Sequence, residues 1–132
     1  MRAIFDWLEF KDIGDDLSKN FDESHIRAAI IMYYYAVFSA IREYLIKIKK
    51  EYQFLDNFRI HERVWKYLVS SENYNENEVG EFLSGVRHIR NHANYDKKYD
   101  FDYFLEKLNE IQDDIENVAN SIIYLRNNFS VW

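Results

Sequence analysis

The run Gly85-Val86-Arg87-His88-Ile89-Arg90-Asn91-His92-Ala93-Asn94-Tyr95-Asp96 gathers two arginines, two histidines and two asparagines at the end of a helical pattern. These are the side chains that bind a phosphate and move a proton near neutral pH. Arginine holds a permanent charge in a planar fork that matches phosphate oxygens, and histidine titrates where a general acid or base must. RNA is cut without a metal when its own 2′-hydroxyl is the nucleophile. That reaction needs a base for the hydroxyl proton, an acid for the leaving oxygen and positive charge on the phosphate. His92 has the type for the proton transfers and Arg87 or Arg90 for the phosphate charge, while Asn91 can position the phosphate or orient the histidine. One copy supplies few such groups, so two copies across a symmetric dimer make a more complete site.

Helical spacing sorts the cluster. Arg87, Arg90, Asn91 and Asn94 fall three and four apart and share one side; His88 and His92 fall four apart on an adjoining face. Val86, Ile89 and Ala93 point to the core, and the helix is expected to stop near Tyr95. Solvated cations at a helix C-terminus, favoured there by the helix dipole, are the competing structural explanation. His88 and His92 also have the spacing of a helical metal-ligand pair. The intervening residues Ile89-Arg90-Asn91 hold no glutamate of the kind a zinc protease needs, and two arginines repel a cation, so neither metal nor cofactor is expected. His61 reads as a helix-start or packing residue, and His25 as a solvated one near a cap. Tyr33, Tyr34 and Tyr35 cannot share one helix face, so they read as core and not as a base-stacking platform.

The elements that must position these groups are helices. With no proline and three glycines in 132 residues, the chain lacks the turn residues of an all-β fold. A first helix is expected from about Ile4 to Leu17, followed by a loop in which Asp22 or Ser24 caps the next helix. The second, roughly Glu23 to Tyr52, repeats Ile26, Ile30, Tyr34, Val37, Ile41, Tyr44 and Ile48 as a buried stripe. A third runs from about Phe58 to Ser70 with Ile60, Val64 and Leu68 inward, and Ser71 to Asn77 is turn-like. A fourth starts near Glu78 and carries Val79, Phe82, Leu83, Val86, Ile89 and Ala93. A fifth begins after Asp100 or Asp102 and repeats Leu105, Leu108, Ile111, Ile115, Val118, Ile122 and Leu125, the seam of a bundle helix. The expected fold is all-α: a single domain over residues 1–132, an antiparallel bundle of four long helices plus the N-terminal one.

Composition bounds the function classes. A 48% hydrophobic and 18% aromatic chain can bury a core and is not disordered. The absence of cysteine excludes disulfide and thiol chemistry. The longest apolar run, Ala28 to Ile41, is bounded by Arg27 and Arg42 and is short for a membrane span. Asp6, Glu9 and Lys11 interrupt any signal-peptide core, so a soluble cytoplasmic protein with no membrane partner is expected. A formal net charge of −6 argues against a broad nucleic-acid-coating surface, and no DNA partner is expected. From Arg87 to Lys98, however, Arg87, Arg90, Lys97 and Lys98 face one acid, Asp96, so a small basic cleft touching few RNA phosphates fits.

Two segments in order resemble the HEPN superfamily, the nucleotide-binding and RNase domains of prokaryotic defence and toxin–antitoxin systems. Arg27-Ala28-Ala29-Ile30-Ile31-Met32-Tyr33-Tyr34-Tyr35-Ala36-Val37-Phe38 is similar to that family's R-x-A-I-x-x-x-Y-Y-A-x-F helix. Arg90-Asn91-His92-Ala93-Asn94-Tyr95-Asp96 is similar to its R-N-x-A-D-Y-D ending, with Asn94 where aspartate is common. His61 lies between them, where many members carry a histidine, and the likeness spans about residues 22 to 100. The family's ribonuclease motif is an arginine, a polar residue and then a histidine four to six positions after the arginine. Arg87-His88-Ile89-Arg90-Asn91-His92 satisfies it, and a competing register from Arg90-Asn91 puts Tyr95 at the histidine position. The resemblance implies Arg87, Arg90 and His92 as catalytic residues, with His88, Asn91, Asn94 and Tyr95 binding substrate. It implies a metal-independent endoribonuclease acting as a toxin or defence effector, a homodimer, RNA as substrate, and a cognate neutralising protein such as a minimal nucleotidyltransferase antitoxin. In some such pairs a tyrosine like Tyr95 is modified by that partner, although Tyr95 stands one residue further from the histidine. Relatives that lack the histidine imply the alternative, a non-catalytic module that binds a nucleotide or a partner protein.

Overall fold

The computed structural model describes residues 5–95 and 99–129, and they are all-helical, with no strand among them. Five α-helices follow in order: α1 (Glu9–Leu17), α2 (Glu23–Glu43), α3 (Ile60–Val69), α4 (Tyr74–Tyr95) and α5 (Phe101–Asn128). A π-helical turn, Tyr44–Ile48, extends α2, and a 3₁₀ turn, Tyr52–Leu55, lies in the connection to α3.

α2 is the centre of the molecule. Asp22 caps it, its carboxylate accepting from the His25 N–H at 3.0 Å. Ile26, Ile30, Tyr34, Val37 and Ile41 are buried, and so are Ala29, Tyr33, Ala36 and Ala40 on other sides of the helix. A helix apolar around most of its circumference needs several neighbours. α1, α4 and α5 supply them. Glu23–Ile48 is long and apolar enough by length and composition to cross a membrane, but 61% of its most apolar window is buried within this fold, as in a core helix.

The contacts give the helix directions. Against α4, α2 places Arg27 beside the carbonyls of His92 and Ala93, while the Tyr44 hydroxyl at its other end donates to Glu76 at 3.1 Å. Those two helices are antiparallel. So are α4 and α5, tied by Tyr103 to His92 at one end and by Ser121, donating to Glu78 at 2.6 Å, at the other. α1 also runs against α2, with the Tyr33 hydroxyl on Asp15 and the Trp7 indole N–H on Glu43. α3 departs from the expected alternation of long helices. It has ten residues and runs in the same sense as α2, because the connection folds back along α2 before α3 begins. Arg42 holds that return segment, donating to the Phe54 carbonyl and the Asn57 side chain at 2.8 Å each. Lys50 (φ 63°) and Arg59 (φ 47°) turn the backbone at its two ends in the left-handed region.

Boundaries differ from the sequence reading where polar side chains cap. α4 begins at Tyr74, four residues before Glu78, because the Asn73 side chain accepts from the Glu76 N–H at 3.0 Å. Glu76 itself is 2% exposed and satisfied by Tyr44, Lys49 and Ser71. α1 starts at Glu9, after residues 5–8 that are not α-helical, and Ile4, the expected start of this helix, lies outside the described residues. α2 yields to the π turn before Tyr52, and Phe104 takes the buried place expected of Leu105. The Asp100 cap, accepting from the Tyr103 N–H at 3.1 Å, is as expected.

Candidate functional site

α4 carries the sequence-predicted cluster, and its core side is set by Val86, Ile89 and Ala93, all buried. Around that fixed face the helix turns about 100° per residue, which sends the remaining side chains to different neighbours.

Arg90 points toward α2 and α3 and is only 7% exposed. Its guanidinium lies 4.9 Å from the Tyr34 ring centre and 5.3 Å from that of Tyr35. One Nη donates to the Tyr35 hydroxyl at 3.4 Å, while the buried Nε–H has no hydrogen-bond partner. Behind it the Tyr34 hydroxyl bonds His61 Nδ1 at 2.8 Å, and the His61 ring stacks on Phe38 at 4.1 Å. Burial pushes the Tyr34 phenol up to about 12, so it keeps its proton and donates it to His61. Burial and then the charges of Arg90, Arg87 and Arg42 push His61 down to about 4, so its imidazole is neutral near pH 7. Half-buried Arg87 belongs to the same flank, since its charge acts on Tyr34, His61 and Glu62. Among the described residues no carboxylate forms an ion pair with Arg87 or Arg90. The flank therefore carries two arginines outside any ion pair, with Glu62 near enough to feel the charge of Arg87.

His92 points the other way, toward α5. It is half-buried, shares a 3.0 Å hydrogen bond through Nδ1 with the Tyr103 hydroxyl, and stacks on Tyr99 at 4.3 Å. His88 is exposed, with its ring centre 6.5 Å from that of His92. No third histidine or carboxylate joins the pair into a metal-binding group among the described residues. Asn91 is half-buried and Asn94 exposed. Tyr95 closes α4, its side chain lying outside the described residues, as do Asp96, Lys97 and Lys98.

Within one chain, then, Arg87 and Arg90 are brought together with each other and with His61, Tyr34 and Tyr35. They are not brought together with His92. In this arrangement the arginine flank can hold an anion, and the His92 flank presents an imidazole held against Tyr99 and Tyr103.

Three contributors to the site were set aside or left without a role by sequence reasoning. His61 and Tyr34 read as packing residues, and they are; their polar atoms nonetheless line the pocket that receives Arg90. The signal was the coincidence of a histidine with an arginine-bearing helix across the core, which needs the fold to be seen. In the sequence Arg27 only bounds the apolar run and opens a helical motif. Its Nη1 donates to the His92 and Ala93 carbonyls at 3.4 Å and its Nη2 to the Tyr99 carbonyl at 3.2 Å, while its guanidinium lies 4.2 Å from the Phe104 ring centre. It satisfies last-turn carbonyls of α4, which have no helical partner, and so positions the cluster against α5.

No protein-family model, curated protein or solved structure matches this chain, so these residues and their geometry carry the functional argument.

Proposed function

We propose that the chain is a HEPN-like bundle acting as a metal-independent endoribonuclease, a toxin or defence effector working on cytoplasmic RNA as a two-fold homodimer. One observation carries the proposal: Arg87 and Arg90, on one flank of α4, form no ion pair among the described residues, and half-buried His92 follows on the same helix. An RNA phosphate supplies the missing negative charge. In the reaction a base takes the 2′-hydroxyl proton and the 2′-oxygen forms a bond to phosphorus. The bond to the 5′-oxygen then breaks, and an acid protonates the leaving oxygen. A 2′,3′-cyclic phosphate remains. His92 performs proton transfer, Arg87 and Arg90 stabilise the phosphate charge, and His88, Asn91, Asn94 and Tyr95 line the substrate path. Because Arg87 and His92 leave α4 on different sides, the complete site combines the arginine of one copy with the histidine of the other. A small nucleotidyltransferase antitoxin fits as the neutralising partner.

The test is purified protein with total RNA in EDTA. Wild type should cleave and leave cyclic-phosphate ends, and His92→Ala should lose activity on the order of a hundredfold or more. Equal cleavage by both removes His92 from the mechanism. The burial of Arg90 behind Tyr34 and Tyr35 favours a second reading, a non-catalytic module that binds a nucleotide or partner protein. Binding without cleavage by either protein would establish it.

A further inference from the structure

Gly80 and Gly85 lie on the same helix and differ in what the fold asks of them. A Cβ at Gly80 would sit 2.7 Å from the Leu68 Cβ and 2.8 Å from the Val69 nitrogen, so the close approach of α3 accounts for that glycine. A Cβ at Gly85 would meet nothing within 4 Å, and the residue is exposed. Glycine inside a helix weakens it relative to alanine. Among the described residues no contact offsets that cost at Gly85.

Gly85 opens onto a groove between α4 and α5, formed by adjoining hollows of about 190 and 260 Å³. Phe82, Val86 and Ile111 form its apolar floor. Glu78 and Glu81 rim it from α4 and Glu110 and Asp114 from α5, and no lysine or arginine lines it. Glu81 and Asp114 are exposed and without an ion pair among the described residues. From Glu78 to Ile89 the groove follows three turns of α4, about 16 Å at a helical rise.

We propose that this groove docks a basic amphipathic helix of a partner protein. An apolar stripe spaced i, i+3, i+4, i+7 would seat on the floor. Lysines or arginines flanking that stripe would meet the carboxylates on both rims. The missing side chain at Gly85 lets the incoming backbone approach at the groove's centre. A second copy of this face would set acid against acid, and an RNA backbone would be repelled, so neither is the occupant. Arg87 leaves α4 on the far side from this groove, and His92, although it turns toward α5, lies beyond Ile89, where the groove lining ends.

The probe is a fluorescein-labelled 18-residue peptide with leucines at helical spacing and lysines flanking them, titrated against the full chain by anisotropy. A copy with glutamates for lysines is the control. The lysine peptide should bind saturably and the glutamate peptide should not. Binding should weaken at least tenfold in Gly85→Trp and in Glu81→Lys combined with Asp114→Lys, with the helical circular dichroism retained. Glu9→Lys with Asp12→Lys, on α1, should leave binding within twofold. Absence of saturable binding, unchanged binding in the groove variants, or equal weakening by the α1 variant would overturn the proposal. Self-association lost in Gly85→Trp without peptide would also overturn it, by identifying a second copy as the occupant.

Discussion

At the residue scale Arg87 and Arg90 separate into different jobs. Arg90 is a buried cation over two tyrosine rings with an orphaned Nε, so it both fills space and carries an unpaired charge. Truncation to alanine removes the packing and leaves a void beside Tyr34; methionine keeps the volume and discards the charge. Arg90→Ala should therefore lose about 2 kcal/mol in urea denaturation, whereas Arg90→Met should be neutral or more stable than wild type. Half-buried Arg87 should change stability by no more than about 0.5 kcal/mol as alanine. Activity lost in Arg87→Ala and Arg90→Met then reports function and not unfolding. His61 offers a pH test of the same pocket. Its folded value of about 4 lies below the ordinary 6.5, so below pH 6.5 the unfolded chain takes up a proton that the folded chain refuses. This contribution is fully present above pH 6.5 and is lost as pH falls toward 4. Allowing for the solvent-facing part of the ring, the loss should be about 1–2 kcal/mol. Measured as the difference between wild type and His61→Phe at pH 7 and pH 4.5, the gap should narrow at the lower pH. A constant gap would show that His61 titrates normally.

At the element scale, the glycines of α4 give opposite expectations on one helix. Gly80→Ala drives a Cβ into the Leu68–Val69 backbone and should cost about 1–3 kcal/mol. Gly85→Ala meets open space and should gain up to about 1 kcal/mol in thermal or urea unfolding. If both destabilised alike, the open space at Gly85 would be wrong. What was legible in the sequence follows the same division between local and nonlocal causes. The seam of α5 and the inward residues of α3 and α4 read directly from apolar spacing, because burial imposes that period on each helix by itself. The start of α4 is hidden in the sequence, since Asn73 resembles any turn residue until its side chain is seen accepting from the Glu76 N–H. The direction of α3 depends on Arg42 clasping the return segment, a contact between residues 12 to 15 apart that no periodicity reveals. The candidate site was legible in its residue types. Its division into an arginine flank and a histidine flank was not, because that depends on which helices stand beside α4.

At the scale of the whole molecule, the charge of −6 is not spread evenly. Acids rim the α4–α5 groove, while Arg87 and Arg90 make a cationic flank toward α2 and α3. Beside this acidic groove the Arg87–Arg90 flank can hold only a short part of a polyanion, so RNA binding should involve few phosphates and a shallow salt dependence. Arg87 and His92 diverge by about 140° around α4 at ideal helical geometry, which one chain cannot close into a single site. Two-fold symmetry can, by setting the arginine of one copy beside the histidine of the other. This makes a quantitative prediction for mixed subunits. Arg87→Ala and His92→Ala should each be inactive alone. When the two are unfolded together and refolded at equal amounts, half the dimers are mixed. Each mixed dimer has one site with both groups lost and one with both intact, so about a quarter of wild-type cleavage should return. Were arginine and histidine to act within one chain, every site in the mixture would lack one of them. Cleavage that stays at the level of the separate variants would thus reject the shared site, even if wild type cleaves RNA as proposed.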